Sequence, residues 1–194
     1  MRKTSLTVAA VCATLLWPGL AHAQRFTDNG DSTVTDHQSG LMWEKKTPAG
    51  SGGVHDVNNQ YTWRNGADSR YLASGTVFTV FLATLNNGAD QNGPGGVDSP
   101  ITGCFANHCD WRLPSVVELK SIRAAGCATG KNLPCIDPAF GPTQADTYWS
   151  ATTHIDNTRV TRNVNFGDGS NQLLPKTDGA YVRAVRSDCQ SIIR

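Results

Sequence analysis

The sequence predicts an α+β domain made of antiparallel strands, two short helices and long loops. Three observations point there. β-prone runs gather at the two ends of the chain, helical spacing is confined to two short central stretches, and Gly-, Asn- and Asp-rich segments separate them. Strands and helices do not alternate as they would in a parallel α/β sheet.

The first element is not part of that domain. Met1-Arg2-Lys3 is followed by an apolar run from Leu6 to Leu16, then Pro18-Gly19 and Ala21-His22-Ala23. A basic start, an apolar stretch and a small-x-small ending form a secretory leader. The run falls short of the roughly 20 residues a bilayer span needs. Cleavage is expected between Ala23 and Gln24, leaving a single domain over residues 24–194 that is periplasmic, on the outer surface or secreted. No later stretch reads as a membrane span.

Charge narrows the partners. The chain carries 17 Lys and Arg against 16 Asp and Glu, and loss of Arg2 and Lys3 with the leader brings it to near neutrality. Nucleic acid is an unsuitable partner, because phosphate binding needs a basic surplus.

Cys12 lies inside the leader, so Cys104, Cys109, Cys127, Cys135 and Cys189 survive it. An oxidising compartment favours pairing. Cys104 with Cys109 and Cys127 with Cys135 close the shortest loops, each worth roughly 2 kcal/mol by the chain-entropy argument. Four cysteines admit three connectivities, and Cys189 is left over. A zinc site on Cys104, His108 and Cys109 is the weaker reading, since no second ligand pair stands at finger-like spacing.

The remaining elements follow in order. Asn29-Gly30 between β-prone runs predicts a hairpin. Asp28, Asp31 and Asp36 read as turn caps rather than as a calcium loop, whose alternating pattern they lack. Residues 47–75 read as a polar surface loop holding Tyr61 and Trp63. Phe78, Phe81, Leu82 and Leu85 share a helical face that Asn87-Gly88 ends. Ser115-Val-Val-Glu118 is a capping box opening a second helix, with Gly126 its expected stop. Residues 148–153, 160–166 and 180–186 read as strands. There is no internal repeat and no linker.

Three anchors carry a family resemblance: Arg25-Phe-Thr-Asp-Asn-Gly-Asp with Gly40-Leu-Met-Trp43; Trp111-Arg-Leu-Pro114 with Glu118-Leu119; and Tyr148-Trp149-Ser150 with Tyr181-Val-Arg-Ala-Val-Arg186. The chain resembles the Lcl C-terminal domain family, named for the end domain of a bacterial collagen-like adhesin. The resemblance implies a C-type-lectin-like fold in which the chain ends meet. It also implies an extracytoplasmic binding or adhesion module for glycans or sulfated polysaccharide. This chain departs from the adhesin in lacking a collagen-like repeat and in its near-neutral charge. Trp-Arg-Leu-Pro with Ser-x-x-Glu is also similar to the formylglycine-generating enzymes. Their late reactive cysteine pair is missing here, since only Cys189 follows Cys135.

No elbow, metalloprotease or phosphate-loop motif occurs, so no catalytic residue, metal or cofactor is expected. His37, His55, His108 and His154 read as scattered surface residues. Trp43, Trp111 and Trp149 read as core indoles with satisfied N–H groups. Arg112 and Arg183 are candidates to pair with Glu118 or Asp110. The candidate ligand residues are Tyr61, Trp63 and Arg64, with Arg70 nearby, joined by Arg159 and Arg162 for an acidic group. A structural envelope protein without a small ligand, or an enzyme of unrecognised type, is the competing expectation. The leader generates a direct check: intact mass of the exported protein should start at Gln24, whereas a full-length cytosolic chain with all thiols titratable would overturn the reading.

Overall fold

The computed structural model describes residues 24–67, 72–87, 103–124, 127 and 134–188. The leader with Ala23, and Arg70, Gly126 and Cys189, lie outside the described residues. Gln24 is the first of them.

The predicted hairpin is β1 (Phe26–Asp28) and β2 (Thr33–Asp36), paired antiparallel. Gly30 takes φ 78° in its turn, where a side chain would be strained. The aspartates act as the turn caps expected of them. Asp28 accepts from the Gly30 N–H, and Asp31 from the Thr33 N–H and hydroxyl. Asp36 is buried and takes two bonds from Arg25 plus one from Ser39.

β2 pairs with β3 (Leu41–Glu44), and β3 with the last strand, β10 (Val185–Ser187). β4 (Tyr61–Thr62) pairs with β9 (Gly179–Ala180). In the third sheet β7 (Asn157–Asn165) is central. β8 (Asn171–Pro175) runs along it, and it also pairs with β5 (Thr147–Tyr148) and β6 (Thr153–His154). Among the described residues every strand pair is antiparallel, and isolated bridges, antiparallel at Arg112–Val185 and parallel at Tyr148–Tyr181, tie the sheets together.

The first helix opens as a π-helical segment, Val77–Leu82, and continues as α1 (Ala83–Asn87). Phe81 and Leu85 are buried as their spacing predicts, and Val77 joins them. Gly75 precedes this helix because a Cβ there would collide with the Thr62 carbonyl. Only glycine lets the helix start so close to β4. The second helix, α2 (Val116–Ser121), has the full capping box: the Glu118 N–H donates to Ser115 Oγ, and the Ser115 N–H to the Glu118 carboxylate. It stops at Ile122, short of Gly126.

Side-chain alternation sorts the core into two clusters. Trp43, Tyr148 and Val185 enter the first with Phe26, Phe140 and Phe166. Their chain neighbours Met42, Trp149 and Ala184 enter the second or pack against it, with Trp63, Phe81 and Trp111. Trp111 and Trp149 donate their indole N–H groups to the carbonyls of Phe105 (3.0 Å) and Tyr61 (2.6 Å). Trp43 departs from expectation, since its indole nitrogen is buried without a partner.

Cys104–Cys109 and Cys127–Cys135 are joined, with Cα atoms 5.1 and 5.2 Å apart. A disulfide therefore occupies the Cys104–Cys109 position where zinc was the alternative. Among the described residues no cluster of three or more His, Cys, Asp or Glu could hold a metal ion. No helix among them is long and apolar enough to cross a membrane. Ser115→Ala should cost about 1 kcal/mol, read as a fall in the denaturant midpoint with an unchanged slope.

Candidate functional site

The sequence placed Tyr61 and Trp63 in a surface loop with their rings open to a ligand; the structure corrects this. They are 7% and 8% exposed and belong to the second core cluster. Tyr61 is held in β4, and its hydroxyl donates to the Val54 carbonyl. The Trp63 indole N–H donates to the Ser150 carbonyl at 3.3 Å, and Phe78 packs edge-on to the ring at 5.0 Å. Polar neighbours made the segment look loop-like, but two large aromatic bodies gain more from burial than exposure allows.

Trp63 nevertheless organises a basic cluster through Lys176, which sequence reading missed. The Lys176 ammonium stands 3.9 Å from the centre of the Trp63 ring. The Lys176 N–H donates to the Arg159 carbonyl (2.9 Å), and its own carbonyl accepts the Arg64 N–H (2.8 Å). Arg64, Lys176 and Arg159 therefore lie on three adjacent backbones, spaced by about 4.8 Å per step. β7 pairs Thr161 with Leu174 and Arg162 with Leu173. Alternation then turns Arg159 to the Lys176 side and Arg162 to the other face. Arg162 is exposed but separate.

Lys176 is only 4% exposed. Burial, and then the Arg64 charge, push its ammonium below the ordinary lysine range. No carboxylate among the described residues pairs with it. An aromatic floor under a row of cations can receive a planar or polyanionic ligand. No sequence signal marked Lys176, because the lysine sits in a Pro-Lys-Thr-Asp-Gly turn that reads as solvated.

A second set of charges is sealed inside. Glu44 is 0% exposed; its Oε1 accepts from Lys46 Nζ (2.8 Å) and contacts His55 Nδ1 (2.7 Å), and its Oε2 accepts the Ala184 N–H (3.0 Å). Lys46 also stands 4.3 Å over the Phe81 ring. Arg183, expected to pair with Glu118 or Asp110, does neither. It donates to the carbonyls of Glu44 (2.6 Å), Phe140 and Pro142, and to the Thr143 hydroxyl. Arg112 takes Glu118, as expected, and Arg186 takes Asp110.

Burial alone would raise the Glu44 carboxyl. Lys46 and His55 outweigh it and bring the group down to about 2. An ionised carboxylate only accepts, so the His55 Nδ1 carries the proton. The imidazole lies against Phe105, ring centres 4.4 Å apart. Among the described residues no serine, threonine or cysteine hydrogen-bonds this ring. Glu44 thus orients and neutralises its neighbours.

Fold and site together define a disulfide-pinned α+β module with a basic rim over an aromatic core. The chain belongs to the Lcl C-terminal domain family, whose sequence model matches residues 32–186. No curated protein sequence matches the chain.

Glu44→Gln should destabilise by about 3–5 kcal/mol, because it leaves Lys46 and Arg183 buried without their counter-charge. The folded carboxyl lies below its ordinary 4.5. Its contribution is therefore complete above that pH and fades as pH falls toward 2, a loss of about 3 kcal/mol. Chemical denaturation across that range should show this acid limb in wild type and a flatter one in the variant.

Proposed function

We propose that this protein is an exported binding module that holds polyanionic glycan on the Arg64–Lys176–Arg159 cluster. Supporting export are the leader-like N-terminus, two disulfides of the kind that persist in oxidising compartments, and family membership. The observation that carries the binding reading is Lys176. The Lys176 ammonium is buried against the Trp63 ring and pairs with no carboxylate among the described residues, and arginines stand on the backbones to either side; its desolvation is a cost that a bound anion would offset. The near-neutral chain keeps this attraction local, so the affinity rests on a few close contacts.

Binding of this kind is screened by salt. The mature protein should be retained on immobilised heparin at low salt and released as salt rises. Removing one cation should lower the log–log salt slope by about one. Arg64→Ala with Arg159→Ala should elute earlier, as should Lys176→Met, which keeps an apolar stem on Trp63. Equal retention on a neutral glycan column, or retention indifferent to salt, would rule the reading out.

A further inference from the structure

Two Asn-Gly pairs lie wholly among the described residues, Asn29-Gly30 and Asn65-Gly66. Glycine has no Cβ to shield its amide nitrogen, so this dipeptide allows that nitrogen to reach the preceding side-chain amide. We propose that Asn65 is a site of spontaneous charge-generating modification beside the basic cluster. The Gly66 nitrogen bonds to Asn65 Cγ, the Cγ–Nδ2 bond breaks, and ammonia departs with the displaced proton. Water then opens the cyclic imide to aspartate or isoaspartate. A neutral side chain becomes an anion without any oxidant or reductant.

The two pairs share a sequence and differ in their surroundings. Asn29 is held at both reacting ends. Its Nδ2 donates to the hydroxyls of Thr33 (2.8 Å) and Thr35 (3.0 Å), and the Gly30 N–H is committed to Asp28 Oδ1 at 3.1 Å. Leaving group and nucleophile are both tied down. Asn65, Gly66 and Ala67 are exposed. The Asn65 side chain is held through its oxygen, which accepts the Ala67 N–H at 3.1 Å. That donor faces the oxygen on which negative charge develops during attack, and so assists the step.

Location gives the modification its consequence. Asn65 follows Arg64, whose N–H bonds the Lys176 carbonyl. A carboxylate there supplies an internal counter-ion to the cluster and weakens its hold on external anions. This consequence rests on the polyanion reading; the modification does not.

The test is ageing of the folded, purified protein in mildly alkaline buffer, followed by tryptic mapping. Peptide 65–70 should convert from amide to acid at least about tenfold faster than peptide 26–45, the factor that about 1.4 kcal/mol supplies. Aged wild type should leave heparin at lower salt than fresh protein, while Asn65→Gln should neither convert nor shift. An intact Asn65, or an Asn29 that converts equally fast, overturns the proposal. Conversion without a change in elution overturns the charge effect. Fresh protein that ignores heparin defeats the polyanion reading and leaves the mapping result standing.

Discussion

The structure depends on one sealed carboxylate. Glu44 ends β3, and its backbone and side chain together meet four partners: Lys46, His55, Ala184 and Arg183. These partners come from the β3 segment, the loop that follows it and the stretch leading into β10. Taking so many charges out of water is tolerable only when each finds its complement. Geometry around Glu44 is therefore dictated closely, and the arrangement fixes where the chain's last strand must lie. Phe140 sits beneath the same point, 5.5 Å from the Arg183 guanidinium and edge-on to Phe26 and Trp43.

Much of this was legible in the sequence where the signal is local. Asn29-Gly30 announced the first hairpin, Ser115 with Glu118 announced α2, and the spacing of Phe81 and Leu85 announced the first helix. Each is a contact or a periodicity within a few residues. The short cysteine spacings likewise anticipated the two disulfides. Glu44, Lys46 and His55 were not legible, because Trp43-Glu44-Lys45-Lys46 looks like a strand running out into solvated charge. Their burial depends on Arg183, Ala184 and Phe81, which lie far along the chain.

The candidate ligand residues show the same division. Composition put aromatics near arginines, and the structure does gather Trp63, Arg64 and Arg159. It assigns them other roles. Trp63 is a floor rather than an open platform, Tyr61 belongs to the interior, and Arg162 faces away. Lys176, the pivot of the cluster, is placed by hydrogen bonds to two distant segments. No window of neighbouring residues contains that information.

The pairing of Trp43 with Val185 and of Met42 with Arg186 carries a kinetic consequence. β3 is made early and waits for a partner that arrives at the far end of the polypeptide. Neither disulfide shortens that wait, since their ring-closing separations are 5 and 8 residues. Ordering such a distant contact costs chain entropy before it returns any stabilisation. Until its closing strand emerges, the growing chain cannot complete the burial of Glu44, whose side chain and backbone are capped by Ala184 and Arg183 just ahead of that strand.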